Sequence, residues 1–345
     1  MENENPIRRQ LNPPRLAVVG AGGWGTALAI VLARAGLQPR LWVMEDDICR
    51  AIRERRENPR YLPGRPVPEE VEATQDLAAC LAEAEIVITA MPSHVCRAML
   101  ERMAPWLRPE MLLVSATKGL EDGSLARMSQ VIAHVLAPHF PARIGVLSGP
   151  TFAPEVARGD PTALVVASHD EELARRVQAA FSGPSFRLYT NADPAGVELG
   201  ASLKNVIAIA AGICAGMGLG SNALAALITR GLAEISRLAQ AAGGRRETLA
   251  GLAGLGDLVL TCTGELSRNR HVGVELAKGR RLDQILDGMH GMVAEGVKTT
   301  AAARELARRH GIEMPITETM YRVLFDGLPP RQGLQELMLR RLKAE

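Results

Sequence analysis

Aromatic residues make up only 3% of this 345-residue chain, so its core must be built mainly from Leu, Val, Ile and Ala. Lysine is also scarce. Lys118, Lys204, Lys278, Lys298 and Lys343 are the only lysines among 40 basic residues, and the rest are arginine. The five cysteines, Cys49, Cys80, Cys96, Cys214 and Cys262, are odd in number, widely spaced and form no CxxC pair. That spacing argues against a disulfide framework or a structural zinc site, and for a reducing, cytoplasmic setting. No stretch of about 18 apolar residues lacks polar interruption, so no membrane span is expected. The start, MENENPIRRQLNPPR, lacks the apolar segment of a secretory signal, and residues 1–14 read as a disordered tail. A net charge of +2 gives no global case for a nucleic-acid partner. Basic doublets such as Arg175-Arg176 and Arg340-Arg341 read as solvated helix faces.

What is present is a strong pattern. From Arg15, short β-branched runs alternate with helical ones: RLAVVG, WGTALAIVLARAG, QPRLWVM, DDICRAIRERRE. A Pro/Gly loop, NPRYLPGRPVP, follows, and then further strands at EIVITA, EMLLVSA, RIGVLS, TALVVAS and FRLYT, with helices between most of them. Such alternation means α/β: a Rossmann-type, doubly wound and mostly parallel sheet. After Asn191 the strand signal ends and the rest reads as helices. The expected organisation is a dinucleotide-binding domain over residues 15–193 and an all-α substrate and catalytic domain over residues 194–345.

LAVVGAGGWGTALA places Gly20, Gly22 and Gly25 as G-x-G-x-x-G between a strand and a helix. That is the setting the dinucleotide fingerprint requires. The glycines give a tight turn, close backbone approach to a pyrophosphate, and close helix packing. An acid about 20 positions on would hold the ribose of NAD. Met44, Glu45, Asp46 and Asp47 fall in that window, but Met44 ends the strand, so the acids fall one step late. Arg50 or Arg53 could instead meet a 2′-phosphate, and Asp46 or Asp47 could simply cap a helix. NAD and NADP both stay open.

Ligands of doubly wound sheets lie at the carboxyl ends of strands. Three polar clusters fall there: Pro92, Ser93 and His94; Lys118 and Gly119; Gly149, Pro150 and Thr151. In GVELGASLKNVIAIAAG, Lys204 sits in an otherwise apolar helix. Its face is shared by Gly200, Ala201, Ala208, Ala211 and Ala215, all small. Either a neighbouring helix packs tightly there while Lys204 snorkels outward, or a ligand lies over the face. Asp257 lies at a glycine-rich turn with Thr261 one helical turn on. Ser267, Arg268, Asn269 and Arg270 mark a helix start that reads equally as a cap or as a phosphate site.

GAGGWGTALA, ATKGLE, SGPTFAPEVA, LKNVIAIAAG, ITRGLAEISRL, AGLGDLVLTCT, SRNR, EGVKT and EMPIT occur in that order along nearly the whole chain. Together they resemble the bacterial NAD(P)-dependent glycerol-3-phosphate dehydrogenases. The resemblance implies interconversion of dihydroxyacetone phosphate and sn-glycerol 3-phosphate for glycerophospholipid synthesis, with NADP or NAD as cofactor, no metal, and a homodimer. It implies Lys204 as general acid/base, Lys118 as a catalytic lysine touching substrate and cofactor, and Asp257 as an acid of the substrate site. It implies substrate contacts from Gly149, Thr151, Ser267, Arg268 and Asn269. Cofactor contacts are implied for the glycine loop with Gly23 and Trp24, and for Met44, Ala153, Arg268, Val293 and Glu295. Gly23 departs from the pattern, since many relatives carry serine there. The rival readings are another two-domain hydroxy-acid or sugar-acid dehydrogenase and a non-catalytic dinucleotide-sensing module.

Overall fold

The computed structural model describes residues 13–289 and 294–342. The expected tail therefore falls outside the described residues up to position 12, and Val293 falls outside them as well. The chain divides into two compact units, Met1–Thr117 with Met128–Pro194, and Lys118–Arg127 with Ala195–Glu345. Each is built around its own apolar core.

The first unit follows the alternating pattern. Its elements are β1 (Leu16–Val19), α1 (Gly23–Arg34), β2 (Arg40–Trp42), α2 (Asp46–Arg55), β3 (Glu57–Asn58), β4 (Leu62–Pro66), β5 (Glu72–Thr74) and α3 (Leu77–Leu81). They continue with β6 (Ile86–Thr89), α4 (Cys96–Met103), β7 (Leu112–Ser115), α5 (Met128–Leu136), β8 (Arg143–Ser148), α6 (Ala153–Arg158), β9 (Thr162–Ala167), α7 (Glu171–Phe181) and β10 (Phe186–Asn191). Eight strands form one sheet in the order β10-β9-β8-β7-β6-β1-β2-β5. Every neighbouring pair is parallel except β8 with β9. Val18, Ile86, Ile88, Leu112 and Val114 are fully or almost fully buried in a core shared with the apolar face of α1. Burying runs of this kind is what favours parallel pairing.

Two local differences from the sequence reading stand out. The Pro/Gly stretch after α2 is not an open loop. It is a β3–β4 hairpin, held by Asn58, whose amide donates to the Ala21 carbonyl at 2.8 Å and to Thr26 Oγ1 at 2.9 Å. The helix expected after Pro92 is broken into a 3₁₀ turn at Ser93–Val95, then α4, then a second 3₁₀ turn at Ala104–Trp106 containing Pro105. Proline cannot continue the α-helical bonding there.

The second unit is helical apart from one isolated bridge, Leu120 to Arg127. Its helices are α8 (Pro194–Gly216), α9 (Ser221–Ala241), α10 (Arg246–Leu249), α11 (Asp257–Thr263), α12 (Arg268–Ala277), α13 (Leu282–Asp287), α14 (Glu295–His310), α15 (Pro315–Phe325) and α16 (Pro330–Met338). A π-helical turn at Leu252–Gly256 leads into α11. By length and hydropathy α8 could cross a bilayer, but 83% of its most apolar window is buried in the protein. It is the central core helix of this unit, and Leu203, Val206, Ile207 and Ile209 all lie in the core.

Buried Glu234 of α9 shows how the unit is locked. Its carboxylate accepts the Ile316 N–H at 2.7 Å and the Thr317 N–H at 3.2 Å. It thereby caps α15 from another helix and satisfies donors that every helix start leaves open. Desolvation pushes its pKa up to about 6, against the pull of those two N–H groups. Glu234→Ala should cost about 2 kcal/mol in urea unfolding, because it strands buried N–H groups. A pKa raised in the fold means stability from protonated Glu234 that is complete below about 4.5 and lost as pH rises through about 6. Glu234→Gln should therefore gain on the wild type between those pH values, read as the difference in unfolding free energy.

Candidate active site

The polar centre of the second unit is Asp257, the first residue of α11 and 0% exposed. It does not cap that helix. Gly256 holds the cap position, with no side-chain cap bond. The carboxylate instead bridges two lysines. Oδ1 accepts from Lys204 Nζ, and Oδ2 accepts from Lys118 Nζ at 2.9 Å. Lys204 also donates to Thr261 Oγ1 at 2.7 Å, and that hydroxyl spends its own proton on the Asp257 carbonyl at 2.6 Å. The single hydroxyl proton is thus committed, which leaves the oxygen as an acceptor for the ammonium.

Lys204 does not snorkel outward, since its exposure is 4%. Part of its small-residue face is covered by protein. A Cβ on Gly200 would lie 3.0 Å from the Ala253 carbonyl oxygen of the π turn. Ala201, Ala208 and Ala211 are buried too, while Ala215 is exposed. Desolvation lowers the Lys204 pKa to about 7, and the nearby Lys118 cation adds to this, with Asp257 opposing. An amine that titrates near neutrality can both give and take a proton, which arginine cannot.

Lys118 belongs to the second unit, although β7 just before it and α5 just after belong to the first. The ten-residue segment is pinned at several points. The Gly119 N–H donates to Ser202 Oγ at 3.0 Å, Arg127 pairs with Glu198 at 2.7 Å, and Lys298 meets Asp122 at 3.3 Å. Leu120 and Leu125 enter the helical core. With φ +130°, Gly119 allows the turn that a side chain would resist.

The SRNR run forms the start of α12. Ser267 is its N-cap and accepts the Arg270 N–H at 3.2 Å, so the capping reading holds for it. Asn269 is buried and bridges two elements. Its amide donates to Asn205 Oδ1 at 3.0 Å, and its oxygen accepts the Gly296 N–H at 2.9 Å at the start of α14. Asn205 and Thr261 therefore join the cluster, though the sequence reading gave neither a role and noted Thr261 only as lying one turn after Asp257. The available signal was a polar residue on an apolar helix, next to Lys204 in one case and one turn after Asp257 in the other. Arg268 keeps solvent contact, yet enough protein surrounds its guanidinium that desolvation lowers its pKa, with the Glu295 charge opposing.

In the first unit, Gly20 has φ +114°, and a Cβ there would meet the Ala90 carbonyl oxygen at 2.6 Å. A Cβ on Gly25 would lie 1.9 Å from the Gly20 carbonyl oxygen. A Cβ on Gly22 would meet nothing within 4 Å, so the backbone there faces open space. No side chain caps α1, so its first-turn N–H groups keep the unpaired donors of a helix start. The Trp24 indole N–H is buried with no hydrogen-bond partner. Open backbone, helix-start donors and one orphaned N–H fit a dinucleotide pyrophosphate. Gly23 has a clear cause. A Cβ there would lie 2.6 Å from the Tyr61 carbonyl oxygen, so serine would force the hairpin aside. Ala153 packs on the other side, 3.7 Å from that same Cβ position. Gly149 has φ +153° and its carbonyl accepts the Thr151 hydroxyl at 3.2 Å. Asp46 and Asp47 lie in the first turn of α2, where they pair with Arg50 and Arg60 rather than cap it. Among the described residues no group of three His, Cys, Asp or Glu side chains could hold a metal ion.

Comparison with known proteins agrees with this geometry. Residues 15–174 match the model of the NAD-dependent glycerol-3-phosphate dehydrogenase N-terminus, and residues 193–335 match that of its C-terminus. The chain is 58% identical over 327 residues to a glycerol-3-phosphate dehydrogenase [NAD(P)+] of Koribacter versatilis, covering 94% of this chain and 97% of that one. It is 52% identical to the Geobacter sulfurreducens protein of the same name, over 96% of this chain and 98% of that one. The crystal structure of glycerol-3-phosphate dehydrogenase from Coxiella burnetii superposes with a TM-score of 0.90 at 43% identity, over 95% of this chain and 99% of that one. The Saccharomyces cerevisiae enzyme superposes with a TM-score of 0.82 at 28% identity, over 94% and 99%. The chain belongs to the NAD(P)-dependent glycerol-3-phosphate dehydrogenase family, as an oxidoreductase.

Proposed function

We propose that Lys204 is the general acid/base for the interconversion of dihydroxyacetone phosphate and sn-glycerol 3-phosphate. The observation that carries this is the buried Asp257 carboxylate shared between Lys204 and Lys118, with Thr261 completing the hold on Lys204. The bound nicotinamide supplies the hydride that adds to C2 of the ketone. As the C=O electrons move onto oxygen, the Lys204 ammonium stabilises that charge and passes it a proton. In the reverse direction neutral Lys204 takes the proton from the alcohol. Two of its N–H directions are used by Asp257 and Thr261, which leaves the third for the substrate oxygen. Lys118 adds positive charge beside that oxygen and lowers the proton affinity of Lys204.

Arg268, at the start of α12, holds the substrate phosphate together with Ser267 and Asn269. Binding energy from this remote group positions C2. Gly149, Thr151, Ala153, Met44, Val293 and Glu295 take the supporting substrate and cofactor contacts that the family pattern gives them. The division into domains near residue 193 belongs to the same reading, except that residues 118–127 go with the helical unit rather than with 15–193. So does a cytoplasmic homodimer with no nucleic-acid partner. Five free cysteines support a reducing compartment.

Lys204→Ala should lower kcat by about 10²–10⁴-fold while leaving dinucleotide binding intact. Near-normal turnover would remove the role. Arg268→Ala should raise KM for the phosphate substrate far more than it lowers kcat, and an unchanged KM would refute the phosphate contact. The low lysine count makes a third measurement practical. In an NMR titration of the lysine amines, Lys204 should titrate near 7 in the wild type, higher in Lys118→Met and lower in Asp257→Asn, because the two neighbours act with opposite sign. Coincident titration in all three proteins would show that the neighbours do not tune it.

A further inference from the structure

We propose that the segment following β2 selects a cofactor with a free ribose 2′-hydroxyl, so that this protein prefers NADH to NADPH, with Glu45 as the discriminating residue. The inference rests on reading the glycine loop as a dinucleotide site, and it goes further by choosing between the two cofactors.

Glu45 and the glycine loop are tied together by one residue, Tyr61. Its carbonyl oxygen lies 2.6 Å from the Cβ position of Gly23, and its phenol donates to Glu45 Oε1 at 2.8 Å. Tyr61 is itself fixed, because its N–H donates to Asn58 Oδ1 at 3.1 Å while the Asn58 amide holds the Ala21 carbonyl inside the loop. The carboxylate is therefore held one tyrosine length from the backbone that faces a pyrophosphate. The adenosine ribose lies there in this fold, beyond the end of the second strand.

The acid is not too late in sequence. Backbone pairing continues past β2, with the Val43 N–H on the Thr74 carbonyl at 2.8 Å. The Met44 carbonyl accepts from Gln75 Nε2 at 3.3 Å. The strand end is thereby carried to Met44, and Glu45 becomes the residue just beyond it. Among the described residues the second Glu45 oxygen has no partner, and the side chain is only partly buried. It is placed to accept a hydroxyl proton. Met44, 69% exposed, offers apolar surface beside it.

Three nearby arginines already carry partners, and Arg60 also acts on the Tyr61 and Glu45 side chains. Arg50 pairs with Asp46, and Arg60 pairs with Asp47 at 2.6 Å. Arg53 donates to the Ala73 carbonyl at 2.8 Å. Arg65, the other cation of the hairpin, acts on the Asp160 charge beyond α6, and its Nε is buried without a hydrogen-bond partner among the described residues. A 2′-phosphate would meet the Glu45 carboxylate, and would have to compete with Asp46 or Asp47 to gain Arg50 or Arg60. A 2′-hydroxyl would only donate to Glu45.

The test is equilibrium binding of NADH and NADPH to the full-length protein by calorimetry, without substrate. The wild type should bind NADH at least about tenfold more tightly, a ratio that one close like-charge contact readily produces. Glu45→Gln, which keeps an acceptor for Tyr61, should shrink that ratio mainly by raising NADPH affinity. Tyr61→Phe frees the carboxylate and should weaken NADH severalfold. Equal or tighter NADPH binding by the wild type, or an unchanged ratio in Glu45→Gln, would overturn the preference while leaving the dinucleotide site standing. Failure of the wild type to bind either cofactor would overturn the dinucleotide reading, and this inference with it.

Discussion

One buried carboxylate organises the helical unit. Asp257 has no solvent contact and lies between two ammonium groups. A buried charge is tolerated only when it is paired and hydrogen-bonded. Here the pairing is lopsided, with two positive charges around one negative. In a poorly solvated site that imbalance falls on the more deeply buried lysine, because its charged form gains least from water. Lys204 is therefore poised near neutrality, while the Lys118 side chain, 19% exposed, stays in contact with solvent. Arginine at position 204 would hold its proton throughout. In a chain so short of lysine, that difference accounts for where lysine was kept.

The same constraint explains the path of the chain between β7 and α5. Lys118 must reach Asp257, so residues 118–127 leave the α/β unit and pack with the helices. That excursion needs its own anchoring. Arg127 with Glu198 supplies a second, largely buried ion pair at its far end, and Leu120 and Leu125 supply apolar contact between the two ends. Ser202, two residues before Lys204 on α8, takes the Gly119 N–H and passes its own proton to the Glu198 carbonyl at 2.7 Å. Both lysines are thus referred to the same helix.

Much of this was legible in the sequence wherever one local rule dominates. The strands of β-branched residues, the glycine loop, and helices such as Met128–Leu136 follow from pattern alone. What the pattern hid was tertiary. Pro63, Gly64 and Pro66 read as loop, yet they lie in β4, which pairs with β3, and the Asn58 side chain of β3 ties that hairpin to Ala21 and Thr26. Lys118 looked like part of the sheet domain because its neighbours in sequence are. Spacing could not choose between a ligand-facing and a packed helix for Lys204: the small residues do admit the π turn, as the packed reading expects, but the amine turns inward to Asp257 rather than snorkelling outward. Asn205 was passed over because a buried amide declares itself only when its partner is known. That partner, Asn269, lies on another helix.

Helix packing also fixes the spacing between Lys204 and the SRNR run. A Cβ on Gly212 of α8 would lie 1.9 Å from the Arg270 carbonyl oxygen, and one on Gly273 of α12 would lie 2.0 Å from that of Ile209. The two backbones therefore touch directly, without intervening side chains. Only such close approach allows Asn205 and Asn269 to bond across the crossing at 3.0 Å. Gly296 extends the same contact to α14, where a Cβ would strike the Asn205 carbonyl oxygen at 2.7 Å. Any side chain at these glycines would push α12 outward and move Arg268 away from Lys204. On the roles proposed for Lys204 and Arg268, a small substrate with its phosphate and its reacting carbon a fixed distance apart would require that separation to be rigid. The glycines hold it by having nothing that can flex.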